Sequence, residues 1–155
     1  MGLDALDYLI GAWSDESRTG EPGTASAGGE TWSLALGGQI LRREGWCEFP
    51  AHGDRPAFRH DDLLVVFVDS DSEVRALFWD SEGHVIHYRD VQPDPDGSGV
   101  GFVSDPSIPG PRQWLKYRFE KPDRLSAVFS VHGPGSPGFQ PYLSWTSVRG
   151  PPVTP

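Results

Sequence analysis

The fold is decided by residues 112–132, which read RQWLKYRFEKPDRLSAVFSVH. From Arg124 to His132, apolar side chains alternate with mostly polar ones, and the segment before the turn alternates in the same way. Successive side chains of a β-strand point to opposite sides, so this pattern predicts two strands with one buried face each. The Pro122-Asp123 pair between them is typical of a turn with proline at its second position. The stretch therefore predicts an antiparallel hairpin.

The same signals continue along the chain on both sides of this hairpin. They predict ten strands, at about residues 11–18, 29–36, 39–49, 60–69, 73–80, 84–91, 99–104, 112–119, 124–132 and 139–149. The connections are too short for crossovers, so neighbouring strands should pair antiparallel. A meander of this size leaves two unpaired edges unless it closes on itself. We predict an all-β fold, a closed ten-stranded antiparallel up-and-down barrel, in a single domain over residues 1–149.

The two ends of the chain carry different signals. Residues 3–10, LDALDYLI, place apolar side chains on one stripe and predict a short helix that ends at Gly11. This helix is too short to be stable alone, so we expect it to cap one mouth of the barrel. Residues 150–155, GPPVTP, cannot continue a strand, and we expect a flexible proline-rich tail.

Composition excludes several classes of partner. The chain has 155 residues and a formal net charge of −9, which argues against nucleic acid and against an anionic membrane surface. Cys47 is the single cysteine and cannot form an internal disulfide. The N-terminus lacks a basic signal-peptide region, and no apolar run approaches the roughly 20 residues that span a bilayer. We therefore expect a cytoplasmic protein.

One hairpin is apolar on both faces. Residues 63–68 are apolar at every position, and the partner strand, within 74–79, carries apolar residues on both sides from Ala76 to Trp79. A barrel wall in water should not expose such a surface, so we expect a cover on the outside. A homodimer through 63–68 and 74–79 is one candidate, and a folded-back terminus is the other.

The sequence matches of this chain to catalytic or metal-binding motifs are not convincing. Residues 133–138 match the dinucleotide pattern GxGxxG, but two prolines and a following strand forbid the helix that the motif needs. His60-Asp61-Asp62 could hold a cation, yet we interpret it as a solvated strand end. No serine or cysteine stands in a nucleophile signature. We predict no catalytic residue and no metal site.

The start of the first strand resembles a known superfamily. A short helix leading into Gly11-Ala12-Trp13 is similar to the entry of calycin-superfamily barrels, and segments 36–41 and 78–88 look like those of bacterial lipocalin-like barrels. The resemblance implies a barrel with a ligand-sized interior, in which Trp13 plugs the closed end and a basic residue of the last strand packs across it. Arg149 is placed to be that residue.

A neighbouring group in this superfamily, the nitrobindins, implies a heme cofactor. Its iron is held by a histidine of the last strand, in a His-Leu-x-x context. This chain has Tyr142-Leu143-Ser144-Trp145 at the matching stretch, so a phenol stands where the imidazole is required. A neutral phenol is a poor ligand for heme iron, and we expect no heme.

Aromatic residues supply the candidate binding site. The six tryptophans fall on six predicted strands and either fill the barrel or line a cavity. We expect the ligand to contact Trp13, Trp32, Trp79, His87, Tyr117, Phe129 and Tyr142, the histidine and tyrosines acting as polar handles. The predicted function is non-enzymatic binding of a small, largely apolar molecule. The alternatives are a heme sensor or an enzyme using the same cavity, and a structural or partner-binding barrel with a filled interior.

Overall fold

In a computed structural model, which describes residues 1–20, 25 and 27–150, the chain forms a closed antiparallel barrel. Its strands are β1 (Gly11–Gly20), β2 (Ala27–Ala35), β3 (Ile40–Phe49), β4 (Phe58–Val68), β5 (Val74–Asp80), β6 (Val85–Pro93), β7 (Gly99–Ser104), β8 (Arg112–Lys121), β9 (Arg124–His132) and β10 (Gln140–Gly150). Each strand pairs with its neighbours in sequence, and β1 pairs with β10 to close the ring. The predicted fold class is confirmed, and each strand end lies within two residues of its expected position.

The N-terminal helix is a 3₁₀ helix, Leu3–Leu9. Its apolar residues Leu3, Leu6 and Leu9 recur every third position, which suits the three-residue turn of this helix type, and Leu6 and Leu9 are buried in the core. Gly11 does not cap the helix as expected. It begins β1 with a φ of +138°, and a Cβ there would collide with the guanidinium of Arg149.

The end of the chain also differs from expectation. Gly150 belongs to β10, where it pairs with Ala12 of β1, so it is not part of a tail. Residues 151–155, the rest of the predicted flexible tail, lie outside the described residues. No helix among the described residues has both the length and the apolar character that a membrane crossing needs.

The hydrophobic core includes Leu6 and Leu9 of the N-terminal helix. It is built from inward-facing aliphatic and aromatic side chains, including Trp13, Trp32, Phe102, Tyr117 and Leu125. The indole Nε1 of Trp13 donates a hydrogen bond of 2.8 Å to the carbonyl of Leu9, which ties the helix to the barrel. The helix therefore closes this end.

The hairpin of β4 and β5 places its extra apolar residues outside the barrel. Leu64, Val66 and Ala76 are buried inside, whereas Leu63, Val65, Phe67 and Leu77 are half-buried on the outer face. Trp79 lies on the same outer face and is 38% exposed.

Candidate functional site

The barrel contains a cavity of about 490 Å³ on the side away from Trp13. Its walls are largely apolar and include Phe49, Phe58, Phe78, Ile86, Leu115, Phe129, Val131 and Leu143. Charged side chains lie at two places in this wall, near Arg43 and near His60. The volume falls in the range of about 300–1,000 Å³ that is usual for small-molecule sites.

A buried ionic network lies where the cavity meets the core. Arg43 donates from Nε to Glu30 Oε2 at 2.8 Å and from a terminal nitrogen to Asp62. Tyr117 donates its hydroxyl to the same Glu30 oxygen at 2.9 Å, and Trp32 Nε1 donates to Oε1 at 3.2 Å. The side chains of Glu30 and Arg43 are 1% and 4% exposed. The network therefore fixes two carboxylates around one guanidinium inside the barrel.

The charges in this network shift each other's pKa values. Burial alone would lower the pKa of Arg43, but Asp62, Tyr117 and Glu30 hold it well above its ordinary value. Burial alone would raise the pKa of Asp62, and Arg43 and His60 bring it below its ordinary value. Burial is also the largest cause of the raised pKa of Tyr117. At neutral pH the guanidinium and the Asp62 carboxylate are therefore charged, and the Tyr117 phenol is neutral.

Local sequence explains why Arg43 can point inward. On β3 the inward positions are Leu41, Arg43, Gly45, Cys47 and Phe49. Gly45 leaves the space that the ion pair needs, because a Cβ there would lie 2.6 Å from the Asp62 carboxylate. The residue after Arg43 along β3, Glu44, is exposed, and its carboxylate lies 3.9 Å from the guanidinium of Arg42.

A second cationic side chain lines the cavity beside Trp145. The guanidinium carbon of Arg18 lies 4.5 Å from the Trp145 ring centre, and its Nε donates to Asp15 at 3.0 Å. Burial raises the pKa of Asp15, although the contact with Arg18 opposes this shift. The Nε1 of Trp145 is buried and has no hydrogen-bond partner among the described residues.

Cys47 is a buried residue of the cavity wall. Burial raises the pKa of its thiol to about 11. The thiol is therefore protonated at neutral pH, and it is a weak nucleophile in this setting.

The structure separates the predicted site residues into three groups. Phe129 and Tyr142 line the cavity, with ring centres 6.3 Å apart. Trp13, Trp32 and Tyr117 are buried in the core and do not line it. Trp79 and His87 are exposed on the outside of the barrel, so the expectation that they line the interior is wrong. Their strands pair in a register that sends Phe78, Ile86 and Tyr88 inward instead.

The predicted contact between Arg149 and Trp13 is present in the structure. Arg149 is opposite Trp13 in the pairing of β1 and β10, and its guanidinium carbon lies 4.3 Å from the ring centre. Arg149 also donates to the carbonyls of Tyr8 and Ile10, the former at 3.0 Å.

Several cavity residues were missed by the sequence analysis. Arg18, Arg43 and Asp62 were not singled out as cavity residues, although an arginine on the inward side of an alternating strand was a usable signal for Arg43. His60-Asp61-Asp62 was interpreted as a solvated strand end, but the Asp62 side chain is 11% exposed and contacts Arg43. Only Asp61 of these three is exposed.

The residues present do not fit heme ligation of the nitrobindin kind. Tyr142 sits at a bulge of β10 between Pro141 and Leu143, and its side chain is 48% exposed. The histidines that line the cavity are His60 and His84, on the opposite wall, and each contacts a carboxylate.

No family model matches the chain, and no curated protein matches it.

Proposed function

We propose that the protein binds a small, largely apolar molecule in the cavity of its barrel, without catalysing a reaction. The observation that carries this proposal is the 490 Å³ cavity with aromatic and aliphatic walls. Close-packed protein interiors contain few voids larger than a water molecule, so a space of this size inside one small barrel requires an explanation. An apolar occupant would gain about 25 cal/mol for each Å² of apolar surface removed from water.

The polar groups of the cavity add a constraint on the occupant. The Arg18 side chain lines the cavity beside Trp145. A guanidinium donates hydrogen bonds and accepts none, so it favours an acceptor atom on the occupant. We therefore expect an apolar body with a hydrogen-bond acceptor at one end. The resemblance to calycin-superfamily barrels, which carry ligands in this way, supports the same proposal.

Two aromatic residues give a matched test. Phe129 lines the cavity, and Trp79 is an aromatic residue on the outer face, so both substitutions remove a large ring but only one alters the cavity. Titration of the purified full chain with the dye anilinonaphthalene sulfonate should show saturable binding at one site per chain. Phe129→Ala should weaken this binding several-fold, and Trp79→Ala should leave it unchanged.

Two results would overturn the proposal. One is a lack of saturable dye binding, and the other is equal binding by the parent and Phe129→Ala when Trp79→Ala binds more weakly. In the second case the dye would report the outer face. A native mass spectrum of the purified protein would also reveal an occupant retained from the expression host.

A further inference from the structure

Three potential metal ligands meet at the mouth of the cavity. They are His60 of β4, Asp80 at the end of β5 and Glu82 in the turn that follows β5. One ligand atom of each lies within 4.8 Å of the others. We propose that these three residues hold a divalent transition-metal ion of the zinc type at the mouth of the cavity.

The distances require a modest rearrangement of side chains. Zinc binds imidazole nitrogen and carboxylate oxygen at about 2.0–2.2 Å, so two donors at a tetrahedral ion lie about 3.3–3.6 Å apart. The three ligand atoms lie within 4.8 Å of one another, so they must draw together by at most about 1.5 Å. His60 Nδ1 already lies 3.1 Å from Glu82 Oε2, a contact in which an ion would replace the shared proton.

Two of the three proposed ligands, His60 and Asp80, are each held by a further group, as metal ligands usually are. The Nε2 of His60 faces Asp62 Oδ2 at 3.6 Å, and Asp62 is fixed in turn by Arg43. A carboxylate behind the imidazole keeps the proton on Nε2 and leaves Nδ1 free to bind the ion. The second ligand, Asp80, accepts from His84 Nδ1 at 2.8 Å, which holds its carboxylate at the mouth.

The donor set selects the class of ion. One imidazole and two carboxylates suit zinc and its neighbours in the first transition series, and they lack the thiolates that softer ions prefer. The two carboxylates supply two negative charges, which balance a divalent cation. Three protein donors leave at least one position for water or for an acceptor atom of the cavity's occupant. The proposed metal site is independent of the proposed apolar ligand, because binding of the ion can be measured without an organic molecule.

The test uses the untagged full chain after treatment with a chelator. Calorimetric titration with Zn²⁺ should give one ion per chain, and Glu82→Gln and His60→Ala should each raise the Kd at least about tenfold. His87→Ala is the matched control, because His87 is an exposed histidine on the outer face, and its Kd should equal that of the parent. Co²⁺ in place of Zn²⁺ should give visible absorption bands that Glu82→Gln weakens.

The contrary results are equally specific. No saturable binding of Zn²⁺ would mean that the cluster is an ion-pair network only. Binding that Glu82→Gln leaves unchanged, or that His87→Ala weakens as much as His60→Ala does, would place the ion elsewhere. Glu82 is exposed in a turn, so its substitution should not unfold the barrel. Failure of dye binding would not affect this result, since the titration contains no organic ligand.

Discussion

Arg149 packs over the ring of Trp13 at the seam where the barrel closes, with its guanidinium carbon 4.3 Å from the ring centre. The same guanidinium donates to the carbonyls of Tyr8 and Ile10, at the end of the N-terminal helix. Trp13 is 1% exposed and donates to Leu9 of that helix. One pair of residues therefore joins the first strand, the last strand and the helix.

Trp13→Ala should lower the free energy of unfolding by roughly 3–5 kcal/mol, the range for removing a large buried aromatic side chain. The loss combines the cavity left behind with the stacking of Arg149, which contributes about 0.5–2 kcal/mol. Denaturant unfolding measures the change. Trp114→Ala is the matched control, because Trp114 is 36% exposed on the outer face, and its loss should be much smaller. A change below about 1 kcal/mol for Trp13→Ala would contradict the closure role.

Arg43→Met should destabilise the barrel by about 3–5 kcal/mol, because it leaves the Glu30 and Asp62 carboxylates without their shared cation. Adding Glu30→Gln to this variant should restore part of the loss, since it removes one of the uncompensated charges. Arg42→Met is the control, because Arg42 is the neighbouring arginine with a side chain 42% exposed, and this substitution should change stability by much less than Arg43→Met does. Equal effects of the two single substitutions in chemical denaturation would show that the buried network does not stabilise the fold.

Asp15→Asn should increase the free energy of unfolding at pH 7. Burial raises the folded-state pKa of Asp15 above 3.8, although the positive charges of Arg18 and Arg43 oppose this shift. The charged form of Asp15 therefore lowers the free energy of unfolding at pH values above the folded-state pKa. This cost disappears as the pH falls through the raised pKa toward 3.8, and the variant and the parent should converge there. Unfolding curves at a series of pH values test the convergence.

Asp96→Asn is the control, because its expected change in the free energy of unfolding has the opposite sign. Hydrogen bonds from Ser98 lower the pKa of Asp96, so its stabilising effect is present above the ordinary value of 3.8 and is lost as the pH falls through the lowered pKa. This variant should therefore be less stable than the parent at pH 7. If Asp15→Asn is also less stable there, burial is not the dominant effect on that carboxyl group.

The outer face of residues 63–68 and 74–79 should mediate self-association. Leu63, Val65, Phe67 and Leu77 are half-buried there and Trp79 is exposed, which makes a contiguous apolar surface of the kind that soluble monomers seldom leave in water. Sedimentation at micromolar concentration should show a dimer of twice 17.0 kDa. Trp79→Lys should convert the dimer to monomer. Ile108→Lys, at an exposed apolar residue between β7 and β8, should leave the dimer intact. A parent chain that stays monomeric on concentration would rule out the dimer.

Much of the architecture could be predicted because it depends on local pattern. Alternation, turn residues and short connections located all ten strands, and the absence of room for crossovers required antiparallel neighbours. These features depend on periodicity and chain connectivity, which a sequence records directly. The contact of Trp13 with Arg149 was implied instead by the resemblance to calycin-superfamily barrels.

The inward or outward direction of each side chain was harder to predict. A period of two separates two faces of a strand but does not say which one is inside, and a one-residue slip exchanges them. From Ala76 to Trp79 both faces are apolar, so Trp79 was placed in the cavity when Phe78 occupies it. The register shifts in β1, between Asp15 and Ser17, and in β10, between Pro141 and Leu143. At such a shift the alternation of inward and outward side chains is interrupted.

The polar groups of the cavity were decided by the tertiary structure alone. Tyr117 donates to Glu30 from 87 positions away, and His60 meets Glu82 across 22 positions. Each of these residues looks like an ordinary polar position in its own strand or turn. Barrel closure brings Tyr117 and Glu30 together, and their burial in a medium of low polarity makes the pairing obligatory. The pairing of β4 with β5 brings His60 to Glu82. The sequence by itself therefore determined the strands and their order, while the chemistry of the interior depended on which faces the closed barrel turned inward.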